Sequence, residues 1–524
     1  MLAALLGGFA LRLALPVSFP LHEDEALYGY WALHALHEDP NFLTVWPDKP
    51  PLYLWTLAGA LGLFGAEPAA ARLLNIGLST LTIAVVAAIA ITLWDRRAGA
   101  PAALAMALNP FAIAFSPTLF TDPMLVLAGM TGLLMALRGR PFWAGLWLGV
   151  AVMTKQQGVL YVPLVAGALW IVLPTTKRRS AKAWLGFGAG LLVILAPVIL
   201  WDAGRWAVAP SPWDLGARHY GRLTILPPGA WPARLRAWLP WLGELAGGWF
   251  VWLVPAVGFD LTLLRPASGM DGRKVMLVRL LGLWNIAFLV LHVVSSVSTW
   301  DRYLLPLAPM LALCLAGLAC RALDYFHPGA APSSHRRAGA DFRLPIMIIV
   351  GLFCLLLFLP AWQASRGERP MGGASDAYVG LDAGIAWLQG EMTTQDRPVT
   401  LYHRTLGQHF RYYFYAELAD NDQALQLDLR WFPSYVYLAD NAAKTPGRAL
   451  FYLRPIWETE PDLALRLAER NVSLIPRFRS GNMVVYELQP PKSGYCDWCF
   501  STEYRASPSD RLPQEMPFHL LDQP

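Results

Sequence analysis

A succession of apolar runs, joined by short polar loops, limits this chain more than any other feature. A helix needs about 20 apolar residues to cross roughly 30 Å of hydrocarbon. Runs near that length fall at about 1–16, 70–94, 98–116, 123–138, 141–155, 158–174, 183–201, 238–264, 275–296, 303–322 and 344–362. Segment 51–65 is apolar but short, and reads as an interfacial or re-entrant helix. With 55% hydrophobic and 15% charged residues in 524, the composition excludes an ordinary soluble globule. The expected architecture is an all-α polytopic membrane domain over 1–362, with about 11 spans plus juxtamembrane helices.

The basic residues give that domain an orientation. If 51–65 does not span, five loops share one side: 95–97, 138–140, 175–182, 265–279 and 321–343. They carry 16 Lys and Arg against four Asp (Asp95, Asp271, Asp324 and Asp341). Short loops rich in Lys and Arg stay cytoplasmic. The first loop, 17–50, then faces outward with six acids and one base. Loop 202–237 also faces outward, yet carries Arg205, Arg218, Arg222, Arg234 and Arg236. That arginine set suits either phosphate binding or a long loop that tolerates charge.

After Pro360 the composition turns polar. Within 363–490, the stretch 381–490 alternates strand-like and helix-like segments, which predicts a small extracytoplasmic α/β domain over 363–490. Its strands are expected at Pro398–Tyr402, Ala449–Leu453, Val472–Pro476 and Met483–Leu488, and its helices at 381–391, 406–418, 434–444 and 461–470. Residues 491–524, rich in Pro and Ser, read as a loosely ordered tail. No internal repeat is seen. Cys314, Cys320 and Cys354 lie in apolar runs. Cys496 and Cys499 form an isolated C-x-x-C that reads as a disulfide or two separate thiols rather than a zinc site, for want of a second pair. No cleavable signal peptide is evident. The run 1–16 is short for a span, which leaves the completeness of the N-terminus open.

Polar groups that are expensive near a bilayer collect on the outward side. His22-Glu23-Asp24-Glu25 precedes an aromatic helix-like stretch containing Tyr28. Asp48 and Lys49 end the first loop, and Arg72 opens the second span. Asp122 follows an outward loop, Lys155 lies at an outward turn, and Arg302 and Tyr303 open a late span. Each has a plainer reading. Asp24, Glu25 and Asp122 can cap helices. Lys155 can snorkel, and Arg72 and Arg302 can anchor span ends. The shared side weakens those readings taken together. Lys and Arg there suit an anionic, partly lipidic substrate, with a carboxylate as general base. His34, His37 and His292 lack metal-like spacing and read as structural.

In these motifs the chain resembles the GT-C class of membrane glycosyltransferases that use polyprenyl-phosphate sugars. It is most similar to the branch of the protein O-mannosyltransferases and lipid A aminoarabinose transferases. The likeness rests on Asp24-Glu25 followed by Ala26-Leu27-Tyr28-Gly29, Asp48-Lys49-Pro50-Pro51-Leu52, Ala71-Arg72-Leu73-Leu74-Asn75, Thr121-Asp122, Thr154-Lys155 and Arg302-Tyr303-Leu304-Leu305-Pro306. It covers roughly 1–362. It implies an inverting transfer without a covalent enzyme intermediate, in a bacterial-type inner membrane with the site extracytoplasmic. Asp24 would be the base, with Glu25 and Asp122 as the other catalytic acids. Asp122 would aid binding or orientation. Lys155 and Arg302 would hold the lipid phosphate, and Tyr28, Lys49, Arg72 and Tyr303 would shape the substrate pocket. Loop 202–237 would fold over the bound lipid. Partners would be the lipid-linked sugar, membrane lipids and an acceptor protein, lipid or glycan, but no nucleic acid. No cofactor is certain: Asp48 matches an acid that helps hold a metal in the aminoarabinose branch, here without an obvious His partner, so a divalent metal stays open. The alternatives are a lipid or solute transporter or flippase, against which stands the lack of two related halves, and a non-catalytic GT-C relative.

Overall fold

The protein is described by a computed structural model covering residues 1–14, 19–178, 181–219, 224–248, 271–325, 355–369, 375–419, 427–445, 447–458 and 462–490. Several sequence expectations lie outside these residues: the second half of span 238–264, the first part of span 344–362, most of loop 321–343, Arg222, Cys354, Cys496, Cys499 and the tail 491–524. The chain divides into two units. One comprises 1–17 and 31–373, the other 18–30 and 374–524.

The first unit is helical. Its elements are α1 (Leu2–Leu13), the later part of α2 (Glu23–His37), α3 (Leu52–Phe64), α4 (Pro68–Leu93), α5 (Gly99–Ala107), α6 (Pro110–Ala114), α7 (Asp122–Leu137), α8 (Pro141–Thr154) and α9 (Tyr161–Val172). After a turn of helix, α10 (Thr175–Arg178), come α11 (Ala181–Arg205), α12 (Pro212–His219), α13 (Trp231–Ala246), α14 (Gly272–Val294), α15 (Leu307–Tyr325) and α16 (Leu355–Ser365). Among the described residues α4, α11 and α14 are long and apolar enough to cross a membrane. At 26 residues α4 reaches about 39 Å at 1.5 Å per residue. Helices α1, α3, α7, α8, α9, α15 and α16 are apolar but shorter. The run expected as one span at 98–116 is broken: α5 ends at Ala107, and α6 starts at Pro110 behind Asn109, whose side chain caps it by accepting from Ala112 N at 2.8 Å. Proline at the first turn starts a helix well but cannot continue one.

Glycine sets the closest helix packing. On α8 a Cβ at Gly145 would run into the Phe187 carbonyl of α11, and on α11 a Cβ at Gly190 would run into the Phe142 carbonyl of α8. The two backbones touch, as small residues allow where no hydrophobic effect drives helices together. Gly190→Leu is expected to force them apart, costing about 3 kcal/mol. The check is thermal unfolding in detergent, with Gly188→Leu, where a side chain meets open space, as the tolerant control.

Nearby, residues 39–46 close into a compact turn. Asp39 carboxylate oxygens accept from the backbone N–H of Asn41, Leu43 and Thr44. Arg205, at the end of α11, donates to the Phe42 carbonyl at 2.5 Å and lies over the Trp201 ring. Arg234 donates to the carbonyls of His292 and Val297. Two of the five arginines in 202–237, Arg205 and Arg234, thus donate to backbone carbonyls. Arg218 pairs on the surface with Asp214.

The second unit contains a five-stranded sheet, β1 (Val399–His403), β2 (Leu427–Trp431), β3 (Ala449–Pro455), β4 (Ser473–Ser480) and β5 (Met483–Gln489), in the order β2-β1-β3-β5-β4. β1 pairs in parallel with β2 and β3, while β5 pairs antiparallel with β3 and β4. Helices α17 (Leu381–Thr394), α18 (Gly407–Tyr413), α19 (Tyr415–Ala419), α20 (Tyr435–Ala443) and α21 (Leu463–Ala468) cover it. Side chains alternate along a strand. Leu401 and Phe451 therefore join one core with Ile385 and Phe410, and Tyr402 and Tyr452 join the other with Leu438 and Leu467. β1 is buried along its whole length.

Candidate active site

In the first unit the chain carries a buried ion pair where two helices end. Asp122 opens α7 and Lys155 follows α8. Lys155 Nζ lies 2.6 Å from Asp122 Oδ1, with side-chain exposures of 5% and 1%. At that depth a lone charge would be costly, so each group requires the other. The cap position of α7 is held by Thr121, and the Asp122 carboxylate turns to Lys155, so the plain capping reading does not describe it. Nor does Lys155 reach a solvated surface.

The same ammonium sits over the Tyr303 ring, 4.4 Å from its centroid. Arg302 faces that ring at 5.7 Å and also the rings of Phe120 at 4.5 Å and Trp300 at 5.1 Å. Arg302 is buried, and its backbone N–H donates to Asp301 Oδ1 at 2.7 Å. Faces of aromatic rings attract cations, so the rings hold two positive groups together without neutralising them. Lys155, Arg302, Tyr303 and Asp122 thus form one cluster.

The turn after α8 fixes its neighbours. Lys155 has extended backbone, with φ −157° and ψ 142°, and the next two residues reach elsewhere. Gln156 Nε2 donates to the Asp48 carbonyl at 2.6 Å. Gln157 Nε2 donates to the Tyr303 carbonyl at 3.0 Å and meets His292 Nε2 at 3.2 Å. His292 Nδ1 lies 2.7 Å from the Phe288 carbonyl, so Nδ1 carries the proton and Nε2 accepts from Gln157. His292 is thereby tied to the turn after α8 and to its own helix. His34 is likewise tied to Thr44 and Glu38.

Asp48 and Lys49 stand beside this turn. Asp48 Oδ2 is 2.6 Å from Lys49 Nζ and 3.2 Å from His219 Nδ1. Burial opposes ionisation of Asp48, but the Lys49 charge and the His219 hydrogen bond hold its carboxyl well below the usual range. The sequence offered Asp48 no His partner; the fold supplies His219 from 171 residues away. Gly216 permits this, because a Cβ there would stand 2.6 Å from Gln156 Nε2 and 3.0 Å from the Asp48 carbonyl. One carboxylate and one imidazole, with the carboxylate already facing an ammonium, do not make a metal ligand set. Among the described residues no group of three His, Cys, Asp or Glu is placed to hold a metal ion, so no chemistry is assigned to a metal.

Arg72 is buried on α4. Three residues on, Asn75 Nδ2 donates to Tyr53 Oη, the Thr118 carbonyl and the Phe120 carbonyl at 3.0, 2.6 and 2.8 Å. These bonds shape the loop that delivers Phe120 and Asp122.

Asp24, Glu25 and Tyr28 belong to the second unit. Glu25 Oε2 accepts from the His22 backbone N–H at 2.9 Å, half of a capping box at the start of α2. The Asp24 backbone N–H donates to His22 Nδ1 at 3.2 Å. Burial, and then the charge of Asp24, raise Glu23 to about 7. Tyr28 is buried. Gln156, Gln157, Asn75 and His219 are the site residues that sequence reading did not single out.

Residues 48–201 match the model of a family described as dolichyl-phosphate-mannose-protein mannosyltransferase. That stretch holds Asp48, Lys49, Arg72, Asp122 and Lys155. No curated protein matches the chain in sequence. Among solved structures, ArnT from Cupriavidus metallidurans is similar, both in the apo state and bound to undecaprenyl phosphate. Identity is 18%, with 93% of this chain and 96% of that one covered and a TM-score of 0.61. The oligosaccharyltransferase AglB from Archaeoglobus fulgidus, in complex with an inhibitory peptide and a dolichol-phosphate, is 12% identical. There 93% of this chain and 74% of that one are covered, with a TM-score of 0.51. At these identities the likeness is one of fold. Together with the family match it bears out the resemblance to the GT-C polyprenyl-phosphate-sugar glycosyltransferases.

Proposed function

We propose that this integral membrane protein transfers a sugar from a polyprenyl-phosphate donor to an acceptor on the extracytoplasmic side, with inversion. The supporting observation is the pair of cations, Lys155 and Arg302, facing one aromatic ring beside the buried Asp122. Two cations in a water-poor setting suit the phosphate of a lipid-linked sugar. In support stand the undecaprenyl phosphate bound by ArnT and the dolichol-phosphate bound by AglB.

In this reading an acceptor hydroxyl or amine attacks the anomeric carbon. Its proton passes to Asp24 as the new bond forms. The bond from that carbon to the phosphate oxygen breaks, and its electron pair leaves with the polyprenyl phosphate. Lys155 and Arg302 stabilise the charge growing there. Asp122 fixes the Lys155 ammonium, while Lys49, Arg72, Tyr28 and Tyr303 have substrate-binding roles. The excess of basic residues in loops 95–97, 138–140 and 175–182 supports placing the first loop and the C-terminal α/β fold outside.

The test is donor-lipid binding. Purified protein in nanodiscs is titrated with undecaprenyl phosphate and followed by native mass spectrometry. Arg302→Gln keeps bulk against the three rings but removes the charge. It is expected to weaken binding about 10–100-fold, on the scale of a lost charge-assisted contact. Unchanged affinity would remove Arg302 from phosphate binding.

A further inference from the structure

We infer that His409, within the C-terminal α/β fold, is a positioning residue for the acidic segment at the start of α2. His409 is wholly buried, and its Nε2 lies 2.9 Å from the Leu21 carbonyl, across 388 residues of sequence. A carbonyl only accepts, so Nε2 carries the proton. Burial drives the imidazole down to about 4, which keeps it neutral at physiological pH. Its ring lies against Tyr378 with centroids 4.7 Å apart, and Tyr378 meets the His22 ring edge-on at 6.1 Å. Leu21 is thereby held at the backbone just before Glu23, Asp24 and Glu25.

A second hold lies on the other side of the acids. Tyr412, one helical turn after His409 on α18, packs against Gly29 so closely that a Cβ there would come within 2.5 Å of its ring. The Arg411 guanidinium lies over the Tyr30 ring at 5.5 Å, and Tyr30 meets Tyr415 at 6.3 Å. One short helix therefore grips the segment at Leu21 and at Gly29, bracketing the three acids. Neither side of this grip lies within the stretch that matches the mannosyltransferase family. The α/β fold thereby sets where the acidic helix start stands.

This inference rests on Asp24 being the base, and its test separates the two ideas. Hydrogen–deuterium exchange of the full-length protein in nanodiscs reads the segment directly, without activity. His409→Ala is expected to speed exchange in peptides covering 19–30 while leaving those from β1 and β3 unchanged. It should also lower kcat for sugar transfer about 10–100-fold, the scale of a misplaced catalytic group, with KM for the lipid-linked donor within about 2-fold. His409→Gln, whose Nε2–H reaches the same carbonyl, should restore both. Should His409→Ala disturb the α/β fold, Gly29→Val breaks the second hold from the segment's own side and is expected to give the same pattern. Unchanged exchange over 19–30 in both variants overturns the grip, whatever Asp24 does. Faster exchange with an unchanged kcat overturns the positioning role. A dead Asp24→Asn variant whose exchange is normal leaves the base assignment standing by itself.

Discussion

Lys155→Met is expected to abolish sugar transfer and to destabilise the protein at the same time. The substitution keeps the length of the side chain but leaves Asp122 buried, at 1% side-chain exposure, without its cation. Breaking a buried pair from one side costs about 3–5 kcal/mol. Transfer should fall at least about 10²–10³-fold, as when one stabilising donor is removed from a developing anion. The two losses part in the double variant Asp122→Leu/Lys155→Met. Replacing both charges with apolar groups is often neutral for stability, so thermal unfolding should return close to wild type while transfer stays lost. A double variant that regains transfer would show the pair to be scaffold only.

Asp24→Asn is expected to give the cleanest catalytic loss: transfer down about 10²–10⁴-fold, the usual contribution of a general base, with folding nearly unchanged. Asparagine keeps the shape and the hydrogen-bonding oxygen but cannot take a proton. Glu25→Gln is the control. Its amide oxygen can still accept from the His22 N–H that Glu25 holds, so transfer should fall less than about 10-fold if Glu25 acts as a cap. Turnover of a lipid-linked sugar beside a melting curve decides both. An Asp24→Asn protein with full turnover would leave Asp24 without the base role.

Much of the helical unit was legible because hydrocarbon-length apolar runs leave a helix few alternatives. The break at Asn109-Pro110 was not, since two short helices end to end have the composition of one span. In the C-terminal unit four of the strands and the helices fall close to where periodicity put them, except that the single helix expected over 406–418 is divided at Phe414 into α18 and α19. β2 was missed, although Leu427, Leu429 and Trp431 alternate as a strand should, because Asp428 and Arg430 between them look like a polar loop. In the site, residue type announced Asp122, Lys155 and Arg302, but their convergence is tertiary. His219 carried no signal, lying 171 positions from Asp48 within a basic stretch. Asn75, Gln156 and Gln157 are neutral amides, and only the carbonyls they meet in the fold reveal what they do.

The three consecutive residues after α8 engage three different parts of the chain: Asp122, the backbone at Asp48 and the backbone at Tyr303. Such a junction can tolerate a changed side chain far better than a changed length. Adding or deleting one amino acid there would rotate all three partners out of step together, whereas the same edit in a surface loop is absorbed locally. Natural variation and engineered insertions should therefore avoid this turn even where they accept substitutions.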